Sequence, residues 1–135
     1  MWSVEYEGDV FERFLRKVPP YEQAVLLAAI EHVLQVRGIE ICADEWGKPL
    51  GRGLYEFRVR KSLRTIMEDA GLELRGHSGR GQNVQIRLFC TFYGRRIVLL
   101  YHGYNKNVDP SKKRQQREIR KARKLHERWK ARKPR

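Results

Sequence analysis

Two runs near the middle of the chain, "VQIRLFCTF" from Val84 and "RIVLLYHGY" from Arg96, flank Tyr93-Gly94. Rich in β-branched and aromatic residues and joined by a glycine turn, they read as an antiparallel hairpin. The stretch Ile97–Tyr101 is apolar throughout, so its strand is a buried one. Such a hairpin needs more sheet beside it and helices against it.

The flanking segments supply both. "WSVEY" alternates as a short strand, and "LYEFRVR" alternates with Tyr55, Phe57 and Val59 on one face and Leu54, Glu56, Arg58 and Arg60 on the other. Between them, Val10, Phe11, Phe14, Leu15 and Val18 recur at helical spacing behind Asp9, a candidate cap. Pro19-Pro20 stops that helix and starts a second, "YEQAVLLAAIEHVLQVRG", which ends at Gly38. "EICADEWGKPLGRG" reads as a loop, "SLRTIMEDAG" as a short helix stopped by Gly71, and "RGHSGRGQN" as a mobile loop. A last helix over about 110–131 starts with Asp109 as cap and Pro110 in its first turn, with Ile119, Ala122, Leu125 and Trp129 as an apolar seam. The expected fold is α+β: one domain over 1–135, a small antiparallel sheet with a helical hairpin on one face and a basic C-terminal helix.

Charge is concentrated at the end. Of the net +13, residues 110–135 hold +11, with 13 Lys/Arg against Glu118 and Glu127, whereas residues 1–109 hold only +2. This excess goes beyond what solubility requires and points to a polyanion. Lys112, Lys113, Arg114, Arg117, Arg120, Lys121 and Lys124 on the helix, with Arg60 on the sheet, are the candidate RNA- or ribosome-binding cations. Cys42 and Cys90 lie far apart, without CxxC or zinc-finger histidine spacing, so neither a disulfide framework nor a metal site is expected, and no cofactor motif is legible. The N-terminus lacks signal-peptide character, and "AVLLAAI" is too short to span a bilayer. The expectation is a reduced, cytoplasmic protein without a membrane partner.

The candidate chemistry lies on the sheet and at the strand-to-helix hinge. Arg58 sits on a face with Glu56 and Arg60, either as an ordinary ion-paired surface or as a phosphate grip. Arg87, set between Ile86 and Leu88, needs a partner, a carboxylate such as Glu56 or a phosphate. In "HGYNKN", Tyr104 offers a ring for base stacking or packs on the last helix, and Lys106 offers a cation and a proton carrier. His102, alternating with Leu100 and Tyr104, is either structural or a titrating catalytic group.

Taken together, "GLYEFRVR", "VQIRLFCTF-YGRR-IVLLYHGYNK" and the terminal "EIRKARK" helix resemble the RelE/ParE toxin superfamily, its HigB-like branch most. The resemblance covers nearly the whole chain and fits least over 61–83, which it makes an insertion. It implies a RelE-like fold and a type II toxin that cleaves messenger RNA on the ribosome without metal or cofactor. Messenger RNA, ribosomal RNA and a cognate helix-turn-helix antitoxin would be its partners. Arg58, Arg87 and Lys106 match the family's phosphate-gripping cations, with Tyr104 or His102 substituting for an absent helix tyrosine. Lys106 is followed by Asn107 where a second lysine is common, and Leu54 and Glu56 replace strand lysines. A ParE-like inhibitor of DNA gyrase and a non-catalytic RNA- or ribosome-binding protein are the alternatives.

Overall fold

The computed structural model describes residues 1–73 and 81–132. Chain order is β1 (Ser3–Tyr6), α1 (Val10–Arg16), α2 (Pro20–Ala29), a π-helical turn (Ile30–Leu34), α3 (Gln35–Arg37) and a 3₁₀ segment (Gly38–Ala43). Then come β2 (Gly47–Gly51), β3 (Leu54–Val59), α4 (Leu63–Asp69), β4 (Ile86–Tyr93), β5 (Ile97–Asn105) and α5 (Lys112–Arg132). The five strands form one sheet in the order β1-β5-β4-β3-β2.

The β4–β5 hairpin forms as expected and is the centre of the sheet. Two departures follow from what its edges accept. The sheet is mixed rather than antiparallel, because β1 pairs with β5 in parallel, Ser3 opposite Ile97 through Tyr6 opposite Leu100. β2, expected as loop, pairs antiparallel with β3, with an irregularity between Pro49 and Gly51. Its Gly-Pro composition hides it, yet an edge strand tolerates a proline that a central one would not.

Helices cover both faces, not one. On the first, Phe11 and Val18 and the α2 residues Val25, Leu26 and Ala29 pack on Phe57, Val59, Leu88, Cys90, Val98 and Leu100. On the second, Ala122, Ile119, Leu125 and Trp129 of α5 pack on Leu54, Phe89, Leu99, Tyr101 and Tyr104. The thin seam read from the sequence is therefore what docks the cationic helix. Of the segment taken as an insertion, α4 is part of the structure: Ser62 Oγ caps it by accepting from Thr65 N at 3.1 Å, and Leu63 and Ile66 join the first core. The loop reading of residues 75–83 falls largely on 74–80, outside the described residues.

Two helix starts differ from expectation. Asp9 makes no capping bond and instead pairs with Arg13 at 3.3 Å. Asp109 accepts from Ser111 N at 3.1 Å in a local turn, and Ser111 Oγ is the true cap, accepting from Arg114 N at 3.1 Å. Helix α5 therefore begins two residues after Pro110.

Gly38 closes the long helical stretch at φ +55, where a Cβ would lie 2.0 Å from the Trp2 ring. Gly8 has a similar φ of +61 with nothing within 4 Å. Gly8→Ala therefore isolates backbone strain of about 1–2 kcal/mol, and Gly38→Ala adds overpacking of roughly 1–3 kcal/mol. Urea denaturation of both variants is expected to place Gly38→Ala clearly below Gly8→Ala; equal losses would show that Trp2 yields freely.

Candidate functional site

The register answers the main question left by the sequence. Arg58 on β3 stands opposite Arg87 on β4, and Arg87 stands opposite Tyr104 on β5. The three residues form one row across three strands. That row depends on a bulge: Leu88 opposes Gly103 but Cys90 opposes Leu100, so Tyr101 and His102 together face Phe89. Simple alternation would put Tyr104 with Leu100 and His102. The extra residue instead turns Tyr104 onto the face of Phe89 and α5, while Leu100 stays in the first core.

Glu56 is the carboxylate of this cluster. It is fully buried, its Oε1 accepts from Arg58 Nε at 2.8 Å, and Arg87 Nε lies 3.9 Å from the same oxygen. Two guanidinium groups thus share one carboxylate. Glu56 Oε2, Arg87 Nε and Nη1, and the Tyr104 hydroxyl are buried with no hydrogen-bond partner among the described residues. A buried orphan of this kind costs about 1–3 kcal/mol, so the cluster carries binding capacity that its own contacts leave unused. Burial lowers the Arg87 guanidinium below its usual pKa, an effect opposed by Glu56 and reinforced by Arg58. Arg87 is 3 % exposed and Arg58 is 23 % exposed, so Arg58 presents charge to solvent and Arg87 lies deeper.

Lys106 joins the cluster from the end of β5. It is half-buried, its amide donates to Gln85 O at 2.7 Å, and burial together with Arg87 pushes its ammonium below the ordinary lysine pKa. Arg58 and Arg60 act in the same direction, while Glu56 opposes them. Arg60 stands 3.9 Å from Glu45, whose other oxygen takes Lys61 at 2.7 Å.

Tyr104 and His102 serve the α5 contact. The Tyr104 ring is 2 % exposed, stacked 6.2 Å from Phe89, with the Arg114 guanidinium 5.4 Å from its centroid. No ring face is left for a base, so of the two roles the sequence offered, packing on the last helix is the one observed. Its hydroxyl is raised above the usual tyrosine range by burial, and next by Glu56. His102, 2 % exposed, bonds through Nε2 to Glu118 Oε1 at 3.0 Å. Glu118 also accepts from Arg114 Nε at 2.8 Å. Burial lowers the His102 pKa despite that carboxylate.

Of the α5 cations, Arg114 is used within the protein, as is Arg123, which donates to Gly51 O at 2.7 Å and Leu50 O at 2.9 Å. Lys112, Lys113, Arg117, Arg120, Lys121 and Lys124 are exposed and make no ion pair among the described residues. The sequence did not single out Glu118 as an anchor, although its position four residues after Arg114 is ion-pair spacing. It also gave no reason to mark Arg13, Arg16 and Lys17, which face α5 across a cleft that includes His102 and Lys121.

Among the described residues, no group of three His, Cys, Asp or Glu side chains could hold a metal ion, and no helix is long and apolar enough to cross a membrane. No family model, curated protein or solved structure matches the chain.

The hydrogen bond from His102, aided by Arg114 and opposed by burial, holds the Glu118 carboxyl down to about 2 from an ordinary 4.5. A depressed folded-state pKa means stability that is fully present above the unfolded value and is lost as pH falls through the folded one. Glu118→Gln should therefore lower Tm at neutral pH, and its gap to wild type should close as pH falls from about 4.5 to about 2. Thermal unfolding followed by circular dichroism over that range checks this; a gap independent of pH would mean that Glu118 acts by packing alone.

Proposed function

We propose that the chain is an endoribonuclease of the RelE/ParE toxin type, HigB-like. On this reading it cleaves messenger RNA on the ribosome and is held inactive by a helix-turn-helix antitoxin. The observation that carries this reading is the pairing of Arg58 with Arg87 across β3 and β4, with Lys106 beside them and donors left unsatisfied. RNA supplies its own nucleophile. The ribose 2′-oxygen attacks the adjacent phosphorus and gives up its proton, and the 5′-oxygen leaves and takes one. The products are a 2′,3′-cyclic phosphate and a 5′-hydroxyl. The protein has to align the attack and stabilise the charge on the phosphorane oxygens. Arg58 and Lys106 are the half-buried cations that reach solvent and are able to do so, Arg87 lies deeper in the same row, and the lowered pKa of Lys106 suits it to carry a proton. The exposed cations of α5 would meet ribosomal RNA phosphates.

A non-catalytic RNA- or ribosome-binding protein is the second reading, and Glu56 favours it. A carboxylate bonded to Arg58 at 2.8 Å already offsets part of the charge a phosphate would use.

Induced expression in a bacterium, with RNA ends mapped, separates the two. Cleavage should persist in excess chelator, since the clustered groups are cations rather than metal ligands. Arg58→Ala, Arg87→Ala and Lys106→Ala should each slow it by about a hundredfold or more, and Arg60→Ala, whose charge is shared with Glu45, should act more mildly. Arg87→Ala leaves a cavity, so its folding needs checking by thermal unfolding. Growth arrest without RNA cleavage would remove the nuclease reading, and cleavage unaffected by the triple variant of Arg58, Arg87 and Lys106 in folded protein would remove the sheet site.

Replacing Arg117, Arg120 and Lys124 with glutamine tests the helix without touching its buried seam, Ala122 and His126. The slope of log affinity against log salt for ribosomes should fall by roughly 0.7–0.9 per lost phosphate contact. An unchanged slope would show that this face does not meet phosphate.

A further inference from the structure

A cleft of about 390 Å³ runs between α1 and α5, apart from the Arg58 cluster. Arg13, Arg16 and Lys17 stand on one wall, Arg114 and Lys121 on the other, and the β5 residues His102 and Gly103 line it between them. The acids near it are mostly committed. Asp9 pairs with Arg13 at 3.3 Å, Glu12 with Arg16 at 3.5 Å and Glu118 with Arg114 at 2.8 Å. Lys17 and Lys121 are exposed and have no ion pair among the described residues, so the cleft keeps two uncompensated charges on opposing walls.

The lining between the walls is selective in a second way. His102 gives the proton on Nε2 to the Glu118 carboxylate, which leaves Nδ1 of the neutral ring as an acceptor. That nitrogen has no hydrogen-bond partner among the described residues, and the ring is 2 % exposed. An anion without a hydroxyl, such as sulfate or chloride, would satisfy the lysines and leave Nδ1 unmet. A sugar–phosphate satisfies both, because its hydroxyl donates where its phosphate accepts. The volume lies within the range of small-ligand sites. Gly103 lets Phe14 and Leu88 pack closely against β5 beneath the cleft: a Cβ there would meet Leu88 Cδ2 at 2.4 Å, Arg87 O at 2.6 Å and Phe14 Cε2 at 3.0 Å.

We propose that this cleft is a second nucleic-acid site, holding one ribose-phosphate of a single RNA strand with its phosphate between Lys17 and Lys121 and its 2′-hydroxyl turned toward His102. The inference rests on the RNA reading above and adds α1 to the binding surface. Nδ1 is covered by its neighbours, so the hydroxyl reaches it by parting the side chains around His102. The site grips RNA and does no chemistry.

The test is binding, so a chain that never cleaves RNA still gives a result. Fluorescence anisotropy with a labelled short oligouridylate is measured for wild type and for Lys17→Ala/Lys121→Ala, each also in the Arg58→Ala background to prevent cleavage. The double variant should lose affinity by about tenfold and lower the salt slope by about 0.7, the value for the one phosphate that the two lysines share on a single strand. The matched oligodeoxyuridylate should bind wild type more weakly than the ribo-oligomer, and that preference should vanish in the double variant. Both lysines are exposed, so unfolding does not confound the comparison. Unchanged affinity and slope would overturn the site. Equal binding of the two oligomers by wild type would overturn the hydroxyl contact. Saturation by uridine monophosphate at the oligomer's own affinity would overturn the strand assignment in favour of a free nucleotide.

Discussion

The bulge that sets Tyr101 and His102 together opposite Phe89 is the constraint on which the polar architecture depends. One extra residue in β5 turns His102 and Tyr104 to the α5 side of the sheet, where Tyr101 already lies with Leu99. Tyr101 meets His126 Nδ1 at 2.7 Å, His102 meets Glu118 at 3.0 Å, and Tyr104 comes to lie beside Arg87. The first two anchor the cationic helix by buried hydrogen bonds; the third completes the row of the candidate site. His126 also reaches Arg52 O at 3.0 Å through Nε2, tying α5 to the turn between β2 and β3. A strand without the bulge would send Tyr104 into the opposite core and leave Arg87 without its aromatic neighbour.

This arrangement explains how a helix so charged can dock at all. Its apolar seam is narrow, and burial of a few side chains at about 1.5–3 kcal/mol each is supplemented by histidine and arginine contacts facing the sheet. Arg114 and Arg123 turn inward to the Tyr104 ring and to the Leu50 and Gly51 carbonyls. Arg132 pairs with Glu7 and Lys130 with Glu127, while Lys112, Lys113, Arg117, Arg120, Lys121 and Lys124 stay exposed. Docking and polyanion attraction therefore use different residues of the same helix.

Much of this was legible in the sequence because it follows from local chemistry. The Pro19-Pro20 break, the Gly38 stop, the β4–β5 hairpin and the seam Ile119, Ala122, Leu125 and Trp129 each rest on backbone limits or on side-chain period. The facing of Arg58 and Arg87 was open, since register is a long-range property, and the structure sets it. What was missed depends on neighbours far along the chain. An edge position makes Gly47–Gly51 a strand despite Pro49, a parallel partner for β5 comes from the N-terminus, and a bulge reverses the faces of His102 and Tyr104. For Tyr104 the sequence left base stacking and packing on the last helix both open, and the enclosure by Phe89 and Arg114 decides for packing.

On the proposed reading, the Arg58–Arg87–Lys106 cluster is built for an RNA phosphate. The most direct test is a crystal structure of the chain with an oligoribonucleotide methylated at its 2′-oxygens, which binds but cannot attack itself. The account predicts a backbone phosphate at hydrogen-bond distance from Arg58 and Lys106, with the Arg58–Glu56 contact of 2.8 Å lengthened or broken to admit it. An oligomer bound only along α5, with Glu56 still holding Arg58, would contradict the claim and leave the sheet arginines as a structural ion pair.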